Sequence, residues 1–164
     1  MRDESGGQTR RETEMNKLLM EDVVRDHGGD ELFTVSASAS VSDAVDLMAE
    51  RQIGAVLVMT EDDLVAGIFT ERDLLMRIVK PGLDPKATSI SLVMTRNVRF
   101  VSPGTTVEAA MALMHINRHR HLLVIDGPKV HGVVSMRDLV YQVVRRGQER
   151  FEAVLGAGSA GSTP

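Results

Sequence analysis

The sequence predicts an α+β fold, two β-α-β-β-α repeats packed sheet to sheet with pseudo-twofold symmetry. Three observations carry this expectation. Short β-branched apolar runs alternate with segments of helical apolar spacing. The stretch Gly67-Ile68-Phe69-Thr70-Glu71-Arg72-Asp73 returns as Gly132-Val133-Val134-Ser135-Met136-Arg137-Asp138, each time between a strand-like and a helix-like run. The surrounding pattern repeats in register. Val41 and Val107, like Met48 and Met114, are 66 positions apart, whereas Gly67 and Gly132, Thr70 and Ser135, and Asp73 and Asp138 are 65 apart. The lost residue falls at a hairpin turn, where chain length is cheapest to change. A unit of about 60 residues has little core of its own, so two should pair.

The elements follow in order. Residues 1–13 are polar, mixed in charge and aperiodic, and are expected to be disordered. The first repeat with a leading helix spans 14–82. Asn16 to Val24 carries Leu18, Leu19, Met20, Val23 and Val24 on one helical face, and His27-Gly28-Gly29-Asp30 is a turn. Leu32 to Val35 is a short strand. Ser40-Val41-Ser42-Asp43 is a capping-box variant that opens a helix through Val45 and Met48. Ala55 to Met59 is a strand, Glu61-Asp62-Asp63 a hairpin turn, and Leu64 to Phe69 the returning strand. Thr70 to Val79 is a second helix stopped by Pro81-Gly82. A polar linker reaches Ser91.

The second repeat spans 83–147. Val98 to Val101 is a strand, and Thr105-Thr106-Val107-Glu108 reads as a full capping box. Leu122 to Ile125 and Val130 to Val134 are strands about an Asp126-Gly127-Pro128 turn. Met136 to Arg146 is the last helix, ended at Gly147, and 148–164 is a C-terminal tail.

Composition narrows the function classes. The net charge of −4 and 3% aromatic content argue against a nucleic-acid partner, which needs a basic footprint and stacking rings. No apolar run approaches the roughly 20 residues a bilayer requires, and the N-terminus has no apolar signal core, so no membrane is expected and a cytoplasmic location is the default. With no Cys there is neither a disulfide framework nor a thiolate site.

Thr70-x-x-Asp73 and Ser135-x-x-Asp138 are each a helix N-cap pattern. The cap is compatible with a second role. A carboxylate accepts both hydroxyls of a ribose, and the helix start beside it offers N–H groups to a phosphate. Asn117-Arg118-His119-Arg120-His121 is a basic turn before an apolar strand, and its counterpart Gln52-Ile53-Gly54-Ala55 carries no charge. His115 and His119 stand four apart, a two-imidazole spacing, but no Cys or carboxylate completes a metal set, so no metal is required. The ten Met residues fall mostly at core spacing.

These residues resemble a tandem pair of CBS domains, a Bateman module, of the free-standing prokaryotic type. The resemblance covers about Leu18 to Arg146. It rests on Gly54-Ala55-Val56-Leu57-Val58, the doubled Gly-x-x-Ser/Thr-x-x-Asp, Val93-Met94-Thr95 and Arg120-His121-Leu122-Leu123-Val124-Ile125-Asp126. Leu57 and Leu123 stand where many members have Pro. The resemblance implies a non-catalytic regulatory module for energy sensing and signal transduction. It would bind AMP, ADP, ATP or NAD, with S-adenosylmethionine a further candidate, in clefts between the repeats. It also implies a homodimer and an effector protein that reads the bound state. In one cleft Asp138 and Ser135 would hold ribose, Arg120 and His121 phosphate, and Phe33, Ile53, Gly54 and Ala55 adenine. In the other, Asp73 and Thr70 would face Arg99 and His119 to His121. The alternatives are a metal-dependent phosphohydrolase on the His cluster, or a scaffold module with degenerate clefts.

Overall fold

The computed structural model describes residues 17–26 and 32–159. The stretch expected to be disordered (1–13), the turn at His27 to Asp30 and the end of the tail (160–164) lie outside the described residues. Helix α1 (Met20–Asp26) comes first, then β1 (Thr34–Ser36), α2 (Val41–Arg51), β2 (Ala55–Met59) and β3 (Val65–Thr70). Helix α3 (Glu71–Asp73) runs on as a π-helical segment, Leu74–Val79, and α4 (Ile90–Val93) follows. The rest is β4 (Phe100–Val101), α5 (Val107–Asn117), β5 (His121–Asp126), β6 (Lys129–Ser135) and α6 (Met136–Ser159). The fold is α+β, with two three-stranded sheets ordered β1-β2-β3 and β4-β5-β6. β1 and β2 are parallel, which requires a crossover, and α2 supplies it. β2 and β3, and β5 and β6, are antiparallel hairpins. The residue lost between repeats is lost in these hairpins, since β2 and β5 align at an offset of 66 and β3 and β6 at 65. The shorter turn needs Gly127 in the left-handed region, φ 55°.

Local chemistry explains the helix ends. Ser40 Oγ accepts from the Asp43 amide at 3.2 Å, and Asp43 Oδ2 accepts from the Ser40 amide at 2.9 Å, closing the expected box. The Ser40 hydroxyl, and then its amide, hold the Asp43 carboxyl below its ordinary value. At α5 the cap is Thr106, not Thr105. Its hydroxyl accepts from Ala109, whose methyl cannot answer back, so the box is half made. Thr105 is engaged elsewhere, its carbonyl accepting from the Met20 amide at 2.9 Å. α2 and α5 end alike, at Gln52 (φ 55°) and Arg118 (φ 54°). Gly147 does not stop α6. A lone glycine costs a helix only about 1 kcal/mol against alanine, and the helix runs on to Ser159.

The chain packs as two compact units, Glu31–Phe100 and the described parts of Met1–Asp30 with Val101–Pro164. These units cut the chain differently from the sequence repeats. α1, which precedes the first repeat, packs on the second: Met20 and Val23 are fully buried in a core with Val107, Met114, Leu122 and Leu139. The Val107 amide donates to the Leu18 carbonyl at 2.9 Å. In turn the linker before the second repeat belongs to the first. Ile90 and Val93 join Val41, Met48, Val56, Phe69 and Ile78 in its core. The Val41 amide donates to the Thr88 carbonyl at 2.9 Å. Among the described residues no helix is long and apolar enough to cross a membrane.

Ion pairs clasp α1 to α6. Asp22 meets Arg25 at 2.6 Å and Arg146 at 3.5 Å, and Asp26 meets Arg145. Burial alone would raise the Asp22 carboxyl, but the Leu19 amide, Arg25 and Arg146 outweigh it and leave the carboxyl below its ordinary 3.8. A folded-state value that is depressed stabilises the fold above the unfolded value, and that stability is lost as pH falls through the folded one. Wild type should therefore be more stable than Asp22→Asn at pH 6 and equal to it at about pH 2, below the carboxylate range. Urea midpoints at the two pH values test this. An unchanged gap would refute it.

Gln142 lies 1% exposed on the inner face of α6, and its Oε1 has no hydrogen-bond partner. A buried unpaired acceptor costs about 1–3 kcal/mol. Gln142→Met keeps the shape and removes the polar group, so it should raise the thermal midpoint by several degrees. An unchanged or lower midpoint in calorimetry would show that the amide is satisfied in solution.

Candidate functional site

The two strand-to-helix junctions are built alike. Asp73 Oδ2 accepts from the Thr70 amide at 3.1 Å and its hydroxyl at 2.7 Å, and the Asp73 amide donates back to Thr70 Oγ1 at 3.3 Å. Asp138 Oδ2 accepts from the Ser135 amide and hydroxyl, both at 2.7 Å, and the Asp138 amide donates to Ser135 Oγ at 3.3 Å. Both are helix caps, as the spacing predicts.

The preceding turn is tied to each junction through the backbone. The Glu71 amide donates to the Gly54 carbonyl at 3.1 Å, and the Met136 amide donates to the Arg120 carbonyl at 3.0 Å. Strand register sets Ala55 opposite Thr70 and His121 opposite Ser135. One unit thus gathers Gly54, Ala55, Thr70 and Asp73, and the other Arg120, His121, Ser135 and Asp138. The first group offers one carboxylate and no cation from its turn. The second brings Arg120 and His121, through the backbone, to the strand end that carries Ser135 and Asp138; carboxylates can hold ribose hydroxyls, and guanidinium and imidazole groups phosphate oxygens.

The remaining candidates divide between the units. Phe33 is half-buried, packs on the core of Glu31–Phe100 and carries the Arg51 guanidinium 5.5 Å from its ring centroid. Its carbonyl accepts from the Leu57 amide at 2.9 Å, a bond that a proline at 57 could not make. Ile53 packs on the same core, and Arg99 is exposed in the same unit. His119 is half-buried in the other unit, its amide donating to the Met114 carbonyl at 3.0 Å at the end of α5. Phe33, Ile53, Gly54 and Ala55 therefore belong to one unit and Asp138 to the other, while Arg99 shares its unit with Asp73. Among the described residues no group of three His, Cys, Asp or Glu could hold a metal ion.

Two residues outside the predicted site set touch Asp73. Thr95 Oγ1 donates to Asp73 Oδ1 at 3.2 Å, and Arg77 Nε stands 3.4 Å from the same oxygen. Spacing could have found Arg77, since Asp73 and Arg77 form an i,i+4 pair. Thr95 follows α4 (Ile90–Val93), and its placement depends on that helix packing into the core of the first unit.

Two α+β repeats, each closed by a Gly-x-x-Ser/Thr-x-x-Asp junction at a helix start, define a tandem-repeat module. Comparison with known proteins agrees. A family model described as the CBS domain matches residues 21–80 and 89–145. The chain belongs to the CBS-domain family. It is similar to the mitochondrial CBS domain-containing protein CBSX3 of Arabidopsis thaliana, 38% identical over 117 residues, 69% of this chain and 57% of that protein. It is also similar to the arabinose 5-phosphate isomerase KdsD of Escherichia coli, 33% identical over 114 residues, 70% of this chain and 34% of that enzyme. It thus spans a third to just over half of the length of these relatives. A solved protein with CBS domains from Burkholderia ambifaria aligns with a TM-score of 0.74 and 40% identity, covering 77% of this chain and 94% of that one.

Proposed function

We propose that this chain is a non-catalytic, adenosine-nucleotide-binding regulatory module of the cytoplasm. AMP, ADP, ATP or NAD is its ligand, with S-adenosylmethionine a less favoured candidate. The observation that carries the proposal is the Asp138 junction, where a cap carboxylate, Arg120 and His121 share one strand end. Ligand binding would shift the packing of the module, and an effector protein would read the shift. KdsD, an enzyme matched over only a third of its length, and the Burkholderia protein, matched over nearly all of its chain, support a module that works both attached and alone. A metal-dependent phosphohydrolase is disfavoured, because among the described residues no metal-holding cluster forms.

The test is a thermal-shift panel followed by calorimetry. Ligands that bind only the folded state raise its midpoint. AMP, ADP, ATP or NAD should do so, and GMP should bind less well, because backbone of the Ile53-Gly54-Ala55 run can match only one donor–acceptor edge. Equal affinity for AMP and GMP would count against adenosine recognition.

The same proposal includes a homodimer. Leu75 and Val79 of the π-helical segment are 57% and 60% exposed, and Val140, Val143 and Val144 of α6 are 44%, 44% and 55% exposed. Their neighbours Ile78 and Leu139 are buried and serve the cores instead. Apolar patches of this kind mark interfaces. Light scattering at micromolar concentration should report a dimer, and a monomer with and without nucleotide would refute it.

A further inference from the structure

A cavity of about 450 Å³ lies between α1 and the β5–β6 hairpin, with its whole lining in one unit. Its apolar wall is Val24, Val124 and Pro103. Its polar groups are the Glu21 and Asp126 carboxylates, the Arg25 guanidinium and the His131 imidazole. Local structure places each of them. Glu21, Val24 and Arg25 are spaced i, i+3 and i+4, on one face of α1. The Glu21 amide donates to the Pro103 carbonyl at 3.0 Å, which pins the start of the helix beside the proline. Val124 and Asp126 are two apart on β5 and share a sheet face. The register pairs Val124 with Gly132 and Ile125 with Val130, so His131 is the extra residue of a bulge, a device that re-aims a side chain.

The cavity is separate from the Asp138 junction. His121 and Asp126 are the two ends of β5, roughly 16 Å apart at the usual rise of a strand. Two carboxylates repel a phosphate, so a nucleotide is not the match. Among the described residues no group of three His, Cys, Asp or Glu could hold a metal ion, which removes Glu21, Asp126 and His131 as a metal set. A wholly apolar ligand would take polar groups out of water without partners. The matching molecule carries one charge of each sign on an aliphatic body. Its ammonium meets Glu21 and Asp126, its carboxylate meets Arg25, and its chain lies on Val24, Val124 and Pro103. Arg25 already donates to Asp22 at 2.6 Å, but that bond uses one of the guanidinium's several N–H donors.

We propose that this cavity is a binding site for a small aliphatic zwitterion, the chemistry of a free amino acid or a short peptide. The first repeat does not carry the set. The residues matching Pro103, Asp126 and His131 are Ala37, Thr60 and Ala66, at offsets of 66, 66 and 65. One ligand per chain is therefore the expected count. The site is independent of nucleotide binding at Asp138.

Calorimetry on the full chain tests it, with L-leucine and the dipeptide Leu-Leu as probes. At least one of them should bind one to one, and the tighter of the two identifies the source. 3-Methylbutylamine lacks the carboxylate and 4-methylpentanoate lacks the ammonium, and each should bind at least about tenfold more weakly. Glu21→Gln with Asp126→Asn should weaken the zwitterion by at least about tenfold at an unchanged thermal midpoint, since both side chains are exposed. Either single variant is the fallback if the double variant misfolds. Asp62→Asn, an exposed carboxylate of the other unit, should change nothing. No uptake of either probe by wild type, or equal uptake by wild type and the double variant, would overturn the site. An amine that binds as tightly as leucine would overturn the zwitterion. Each of these outcomes leaves the adenosine reading untouched.

Discussion

Gly67→Ala should destabilise the unit Glu31–Phe100 by about 3 kcal/mol, the upper end of the usual overpacking penalty. A Cβ built on Gly67 would sit 2.7 Å from the Thr95 carbonyl oxygen and 2.9 Å from Met94 Sδ. The sulfur can move, but the carbonyl cannot. It accepts from the Ile68 amide at 2.9 Å, and the Thr95 amide donates to the Ile68 carbonyl at 2.8 Å, so the linker and β3 are riveted on both sides of the clash. The matching glycine of the second repeat provides the control. At Gly132 the nearest atoms are methyls of Val24, at 3.4 and 3.5 Å, which a small rotation relieves. Gly132→Ala should therefore cost less than about 1 kcal/mol. Urea denaturation of the two variants decides. Equal losses would mean that the close approach to the Thr95 carbonyl does not set the cost at Gly67.

The repeat was legible because its signals are local. Ser40 and Asp43 state a capping box within four residues, and the box forms. The pattern of Val41, Met48, Val107 and Met114 marks buried helix faces, and all four are buried. The shift from 66 to 65 located the shortened hairpin before any strand was seen. What stayed hidden depends on partners distant in sequence. Met20 and Val23 announce a face that must be buried, but nothing in their spacing says that the second repeat buries it. Ile90 reads as linker by its polar neighbours, yet it is fully buried against the first repeat. Thr106 takes the cap, while the Thr105 hydroxyl lies 3.2 Å from Ser102 Oγ and its carbonyl accepts from the Met20 amide, 85 positions earlier. The junctions themselves were read as equivalent for ribose and differing only in the charge of the preceding turn. The Arg77 contact to Asp73 lies one helical turn beyond the motif.

Asp138→Ala should weaken AMP binding by roughly 1.5–3 kcal/mol for each charge-assisted hydrogen bond lost, and Asp73→Ala should cost less. Asp138 stands with Arg120 and His121 at one strand end, and on the proposed reading ribose and phosphate would be held together there. The Asp73 turn brings no cation, and its carboxylate is taken up by Thr70, Thr95 and Arg77. Both substitutions also remove a helix cap, which costs about 1 kcal/mol of stability. A loss of affinity in Asp138→Ala alone could therefore come from a loosened fold. Asp138→Asn separates the two effects, because an amide oxygen can still accept from the Ser135 amide and hydroxyl while the negative charge is gone. It should keep the wild-type thermal midpoint and still lose at least tenfold in affinity. Asp73→Asn, measured alongside, should lose less affinity. If Asp138→Asn binds AMP like wild type at an unchanged midpoint, the carboxylate is a cap and nothing more, and the nucleotide, if bound, is held by other groups.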